Sequence, residues 1–478
     1  MRHSRLIPLT AAVALLCACA VGPDYKPPAN LPAGDWLNSA DSAPVDLTWW
    51  QGLHDPLLEE LIQAAVAHNL DLKAADAHLR EARANREAIG GGAWPQVNLT
   101  GSATRNAWSE NGPIPVQRVP GFQRYYNLFE AGFDASWEID LWGHNRRAVE
   151  GATARAVAAE EARRETLMRV ITEVARSYVD LRSAQQQGAS VKADADAQAD
   201  IAKLVAERLR TGEASRFDFL RADAQARSTR ALLPDLDADA HAAVYRLALL
   251  SGQTPEALAT RLLAPQVLPT SPALIATGLR SEVLRRRPDV RAAERQLAAA
   301  TADVGVATAE LFPRLSLVGS IGQQALTAQE FTSSNSTYFS VGPSLHWPIF
   351  AGGTLRANVR AADARADAAG ASYEAAVLGA LSDSESAVNR LAAAQQTRTE
   401  RDLARRQSEE ALALARQRYR AGEDDLIVLL QSQSAYSTAE QQSIAAQAAA
   451  LTAMISLYKA LGGGWQSFEA APADVARR

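Results

Sequence analysis

A chain of 478 residues with a formal net charge of −5 and a pI near 5.9 has no concentrated basic surface, which argues against a nucleic-acid partner. Its two cysteines, Cys17 and Cys19, both fall in the first nineteen residues. The rest therefore has no thiol for a disulfide or a cysteine metal cluster and must be held together by packing alone.

At the start, Arg2 and Arg5 precede an apolar run from Leu6 to Leu16 and then small residues. This pattern predicts a secretory signal over residues 1–18, too short for a spanning helix. Leu16-Cys17-Ala18-Cys19 resembles a bacterial lipoprotein cleavage box, with Cys19 as the lipidated first residue of the mature chain, carrying palmitate among its acyl groups. Ala20 follows in place of Asp, which in such signals points to the outer membrane. Ordinary cleavage after Ala18 or Ala20 is the alternative. Several acyl chains on one cysteine would make a durable anchor, at about 0.8 kcal/mol per buried methylene.

Residues 19–55 form a proline-rich lead with Pro23, Pro27, Pro28, Pro32 and Pro44, extended because proline fixes φ and lacks a donor. Trp36, Trp49 and Trp50 in it are expected to pack onto the body. A first repeat then occupies 56–252. It opens with one helix from Pro56 to Ile89, with Leu57, Leu61, Ala65, Leu72, Ala75 and Leu79 at helical spacing, ended by Gly90-Gly91-Gly92. Residues 96–104 alternate strictly, Val97, Leu99, Gly101 and Ala103 against Gln96, Asn98, Thr100, Ser102 and Thr104; residues 129–140 alternate in the same way. A proline-free run from Arg147 to Arg210 predicts a helix that would reach roughly 100 Å unless Gly188 divides it. A second helix, 216–250, is bent by Pro234.

A connector, 253–280, leads to a second repeat, 281–465, and a tail, 466–478. The second repeat reads as a helix over 288–311, strands over 315–321 and 339–349, and helices over 355–420 and 425–461. Arg-x-Arg-x-Gly-Glu occurs at 208–213 and again at 418–423. The same spacing relates Gly212 to Gly422, Trp137 to Trp347, Ile139 to Ile349, Leu220 to Leu430 and Gly252 to Gly462. With small shifts, Trp94-Pro95-Gln96-Val97 matches Phe312-Pro313-Arg314-Leu315. The chain is a tandem duplication of one large module, with a period far beyond that of short-repeat solenoids. Each motif ends a long helix: arginines sit where the dipole favours cations, and Gly212 and Gly422 supply left-handed caps.

Strands of about ten residues match tilted barrel strands that cross a bilayer, although a soluble sheet with one core face also alternates. Four strands cannot close alone, because the smallest outer-membrane barrels need eight and lipid tolerates no open edge. Three copies would supply twelve.

CAVGPDYKPP at 19–28, RRPDVRAAE at 286–294, RYRAGEDD at 418–425 and LYKALGGGW at 457–465 resemble the TolC-like outer-membrane factors of Gram-negative bacteria. Among these, the lipoprotein, NodT/OprM-like branch of multidrug efflux channels is most similar. The resemblance implies a mainly helical fold with membrane strands: long coiled α-hairpins plus two β-hairpins, closing as a homotrimer into a twelve-stranded β-barrel and a periplasmic α-barrel. It implies an outer-membrane exit duct that passively conducts drugs or other small molecules. The partners implied are an inner-membrane RND-type pump, a periplasmic adaptor and outer-membrane lipid. By motif position, Asp218 and Ile427 would line the periplasmic gate, with Asp424 and Asp425 close by. Gln431 stands where many relatives have Asp. Arg210, Gly212, Arg420 and Gly422 would lie at the tips that contact the adaptor. In such a barrel Glu130, Asp134, Glu138 and Asp140 would face water, while Phe129, Phe133, Trp137, Phe339, Leu345 and Trp347 would meet lipid.

The histidines show no HExxH pattern, and there is no P-loop, GxGxxG or GxSxG elbow, so no enzyme, cofactor or metal is expected. The rival readings are an exit duct for type I protein secretion or metal efflux, and a helical scaffold lipoprotein without a pore.

Overall fold

The computed structural model describes residues 20–27, 36–37, 43–113, 121, 123–270 and 276–469. The expected signal 1–18, Cys19, Pro28, Pro32 and residues 470–478 of the tail lie outside that set. In chain order the elements are α1 (Pro56–His68), α2 (Leu70–Gly91), β1 (Gln96–Ala107), β2 (Tyr125–Ile139), α3 (His144–Arg210), α4 (Arg216–Arg230), α5 (Leu233–Leu250), α6 (Pro255–Leu262), α7 (Arg280–Arg286), α8 (Pro288–Ala309), β3 (Arg314–Ala325), β4 (Thr337–His346), α9 (Thr354–Ala421) and α10 (Leu426–Ala460). They divide into two units. One holds Met1–Pro27, Leu79–Ala158 and Ala293–Tyr373, the other Pro28–His78, Ala159–Ala292 and Glu374–Arg478. Each unit draws on both halves of the duplicated sequence.

The first unit carries a four-stranded antiparallel sheet in the order β1-β2-β3-β4. Because side chains alternate across a strand, the register gathers the apolar sets on one face: Leu99 opposite Phe133, Phe133 opposite Ile321, Ile321 opposite Phe339. β4 stops at His346, short of the expected Ile349, since Pro348 has no N–H to continue a ladder. Pro343 lies within β4, the last strand of the sheet in the single chain, paired there with Leu317 of β3. Each hairpin is pinned by an indole: Trp137 Nε1 donates to the Ala93 carbonyl (3.0 Å) and Trp347 Nε1 to that of Leu311 (3.2 Å). Residues 20–24 are strapped to the same unit. The Val21 amide donates to the Trp142 carbonyl, and Arg147 donates to the Val21 and Gly22 carbonyls and to Asp24.

The second unit is helical, and its core joins α1, α3, α5, α6, α9 and α10. The expected packing of the lead holds here. Trp49 stacks on Tyr458 at 5.3 Å, Trp50 on Phe468 at 5.6 Å, and Trp36 Nε1 donates to the Gly278 carbonyl. Arg182, fully buried, lies over the Tyr178 ring and donates to the carbonyls of Leu262 and Ala264 and to Gln266, holding the chain after α6. A buried guanidinium is tolerated there because carbonyl acceptors converge on it.

Two helices differ from expectation. The helix expected over 56–89 is two, α1 and α2, broken at Asn69 (φ −58, ψ 133). The Asn69 side-chain Oδ1 accepts from the Leu72 amide as an N-cap, while its Nδ2 donates to the Leu250 carbonyl, a long-range contact no local pattern reveals. The second repeat has the same break at Arg287, between α7 and α8, where Pro288 disfavours helical geometry for the residue before it. The 216–250 helix is not merely bent but divided into α4 and α5, because Pro234 offers no N–H to the Arg230 carbonyl. α10 has no proline and is continuous. Gly188 does not interrupt α3. A mid-helix glycine costs about 1 kcal/mol, and Val179, Leu181, Ala184 and Val191 around it are buried.

The duplication reaches backbone conformation: Gly143 and Gly353, Gly212 and Gly422, and Gly252 and Gly462 all have positive φ. Their surroundings differ. A Cβ on Gly212 would meet nothing within 4 Å, whereas one on Gly252 would stand 2.5 Å from the His68 carbonyl oxygen. Gly212→Ala is expected to cost only the left-handed penalty of about 1–2 kcal/mol. Gly252→Ala should add overpacking of about 1–3 kcal/mol. Thermal loss of helical circular dichroism checks this: equal midpoints for the two variants would show that the approach to His68 does not constrain Gly252.

Candidate functional site

Two regions gather the residues singled out by the sequence. The first is the sheet. Its apolar face is open, with Leu99 70% exposed, Phe133 53% and Phe339 76%. Large side chains left bare in this number mark a surface made to meet something apolar. The opposite face is polar: Asn98, Asp134, Ser136, Ser320 and Ser340 line a shallow depression. Thr100 Oγ1 donates to Asp134 (3.1 Å), and Gln324 donates to Glu130. Asp140 does not belong to this face. It lies beyond the last paired residue of β2 and accepts from the Arg146 amide at 2.9 Å. Phe129 is on the apolar face but half-buried. Tyr338, on the face opposite the apolar set, lies against the paired Gly132 and Gly322, where any Cβ would collide with the opposing strand. β1 and β4 each have one edge without a partner strand among the described residues. No helix among the described residues is long and apolar enough to cross a membrane.

The second region is the pair of helical turns between α3 and α4 and between α9 and α10. Both are Schellman caps. Glu213 N donates to Arg208 O and Gly212 N to Leu209 O; Glu423 N donates to Arg418 O and Gly422 N to Tyr419 O. The two turns meet through Arg208, which lies over the Tyr419 ring at 4.9 Å and donates to its hydroxyl at 3.1 Å. Leu412, Tyr419 and Leu429 form a small buried cluster beneath.

The acids at these turns are not equivalent. Asp218 closes a capping box, accepting from the Ser215 amide and hydroxyl while Ser215 Oγ accepts from the Asp218 amide. Those donors hold the Asp218 carboxyl below its ordinary value. Asp424 is gripped by Arg418 at two points, Nη2 to Oδ1 and Nε to Oδ2, both 2.9 Å. Asp425 is the N-cap of α10 but makes no side-chain capping bond and is exposed. Ile427 and Val428 are partly bare, and Gln431 is exposed. Arg210 pairs with Glu207, and Arg420 is exposed.

Sequence reasoning missed two features here. Phe217, 69% exposed, occupies the place of Ile427 in the first repeat, as the duplication offset would have shown. In the first turns of α10 it is Gln433, buried, and not the exposed Gln431, that joins a buried polar layer. Arg416 donates to Gln433 and Gln433 to Asp194; Gln198 donates to Asp194 and Thr229 to Gln198. This buried polar layer crosses α9, α10, α3 and α4, and only the packed helices reveal it.

The family model for outer membrane efflux proteins matches residues 61–253 and 279–463, most of the chain and both repeats. The chain belongs to that family. The pyoverdine export outer membrane protein OpmQ of Pseudomonas aeruginosa is 32% identical over 464 residues, 96% of this chain and 97% of that protein. Nodulation protein T of Rhizobium leguminosarum bv. trifolii is 31% identical over 433 residues, 89% and 90% of the two chains. The solved structure of the outer-membrane channel OprN has a TM-score of 0.87 at 36% identity, covering 94% of this chain and 100% of that one. Membership makes the protein an outer-membrane efflux channel, not an enzyme.

The depressed Asp218 value carries a sign. A carboxylate with lowered native pKa supports the folded cap fully above the ordinary value, 3.8, and loses that support as pH falls through the native value. The hydrogen–deuterium exchange protection factor of the Ser215 amide should be high at neutral pH, fall towards one on strong acidification, and be low at neutral pH in Asp218→Ala. Equal protection in the variant would dissolve the capping box.

Proposed function

We propose that three copies of this chain close one barrel in the outer membrane, forming the exit duct of a tripartite efflux system loaded by an inner-membrane RND-type pump through a periplasmic adaptor. The observation that carries this reading is the sheet: one face bare and apolar, the other polar, and an edge unpaired at each end. Such edges are stable in hydrocarbon only when joined to further strands. The repeats 56–252 and 281–465 would then each contribute one hairpin, a division supported by the two stretches of family match. The polar face would line a hydrated lumen, which suits varied cargo because a wide wet duct selects little. OpmQ is named for pyoverdine export.

In this reading the turns at Gly212 and Gly422 meet the adaptor and carry the periplasmic gate. Asp425 is the best-placed acid, since Asp218 is committed to Ser215 and Asp424 to Arg418. Phe217, Ile427 and Val428 would supply the apolar part of the constriction. Three Asp425 carboxylates brought together would repel one another and favour cations. Asp424 and Asp425 would take the place of the acid absent at Gln431.

Planar-bilayer recording of the purified oligomer tests both levels. The parent should conduct, and Asp424→Ala with Asp425→Ala should change single-channel conductance and lower its preference for cations. Conductance and ion preference indistinguishable from the parent would remove the acidic gate. A folded protein with no conductance and no heat-modifiable oligomer would favour the scaffold reading.

The anchor is proposed at Cys19. Support comes from its neighbour: Ala20 lies against Gly143, and the strap that follows is fixed by Trp142 and Arg147, so acyl chains would be tethered to a rigid point. Radioactive palmitate should label the parent and not Cys19→Ser; label retained in that variant would place lipid elsewhere.

A further inference from the structure

The chain contains a template for the joint it lacks. Both hairpins obey one rule. Moving β1 forward by the spacing of Ala93 to Leu311, and β2 by that of Trp137 to Trp347, converts the β1–β2 pairs from Gln96–Ser136 through Arg105–Asn127 into the β3–β4 pairs. Val97 opposite Ala135 becomes Leu315 opposite Leu345, and Thr100 opposite Gly132 becomes Val318 opposite Gly342. The two indole latches convert in the same way. The joint between the hairpins, β2 against β3, has no such counterpart among the described residues, where β4 and β1 each keep a bare edge.

We infer that β4 pairs with β1 of a second copy of this chain in the register that the internal β2–β3 joint dictates. This rests on the oligomeric-barrel reading above and specifies the contact that reading leaves open. Applying the two shifts, Trp137 opposite Leu317 becomes Trp347 opposite Leu99 of the second copy. Asp134 opposite Ser320 becomes Ser344 opposite Ser102, and Phe133 opposite Ile321 becomes Pro343 opposite Ala103.

The side chains suit this register although nothing in the shifts required it. Apolar residues meet on the bare face: Trp347 with Leu99, Leu345 with Gly101, Pro343 with Ala103. Small or polar ones meet on the other: His346 with Thr100, Ser344 with Ser102, Gly342 with Thr104. A slip of one residue would set polar against apolar side chains along the whole joint.

The corner beside β4 agrees. At the internal joint Trp142 stacks on Phe312 at 4.6 Å and donates to the Pro313 carbonyl at 2.9 Å. The shifts put Gly352 in place of Trp142, and Trp94 of the second copy in place of Phe312. A glycine thus faces the larger indole where an indole faced the smaller phenyl ring. Trp94 is 72% exposed, and Ile349 and Phe350 are 86% and 91% exposed beside a pocket of about 470 Å³ also lined by Trp347, Leu355 and Arg356. Trp94 of the second copy fills that pocket and covers Phe350.

Cysteine cross-linking in outer membranes reads the register directly. Two matched pairs, Ser344→Cys with Ser102→Cys and Leu345→Cys with Gly101→Cys, sample both faces, so one is of the closer, non-hydrogen-bonded kind. Pairs displaced by two residues, Ser344→Cys with Thr104→Cys and Leu345→Cys with Ala103→Cys, are the comparison. Oxidation should give covalent multiples of the chain with at least one matched pair and largely lose them with the displaced pairs. Trp94→Ala should lower the temperature at which the oligomer dissociates in detergent. Displaced pairs that link best, or products whose mass is not a multiple of the chain, overturn the register. If the parent conducts in bilayers while displaced pairs link, this register alone fails; if it neither conducts nor links to itself, the barrel reading fails as well.

Discussion

A strand at the border of a sheet presents a row of backbone donors and acceptors that water satisfies readily and hydrocarbon does not. In this protein that row occurs twice, along β1 and along β4, on a sheet whose one face is apolar and bare. Each unsatisfied group costs several kcal/mol in lipid. In the barrel proposed above, a sheet this small is one part of a larger closed surface, and the need for further copies would begin at the backbone.

Duplication gives that constraint a simple form. A hairpin followed by a long pair of helices is written twice, and the copies agree in features as fine as the sign of φ at Gly143 and Gly353. Where they diverge, each difference has a local cause. Pro234 divides α4 from α5, while α10 runs unbroken. Ser215 builds a capping box at the first turn, whereas Asp425 at the second leaves its carboxylate exposed. Trp142 is sheltered at one corner of the sheet, while Ile349 and Phe350 are bare at the other. Asymmetry of this kind lets equivalent positions take different duties.

Much of this was legible in the residues. Alternation in 96–104 and 129–140 depends only on the pleat, so the strands and their faces could be read directly. Gly212 and Gly422 reveal caps because a left-handed residue is a local demand. The break at Asn69 was hidden, since it is fixed by Leu250, far away in sequence. The commitment of Asp424 to Arg418 and of Arg208 to Tyr419 was hidden for a related reason. Charge and position identify an acid or a base, but only geometry says which partner holds it. Gln433 shows the same limit: nothing in its neighbours separates it from Gln431, yet one lies inside the packed helices and the other outside.

The layer from Arg416 through Gln433, Asp194 and Gln198 to Thr229 ties together a helix on each side of both turns. A carboxylate enclosed among four helices tolerates little sliding, because one turn of slip would strand Asp194 without the two amides that replace its hydration. Whatever motion the turns undergo must therefore leave these four helices in step, moving them together like fingers bound at the knuckle.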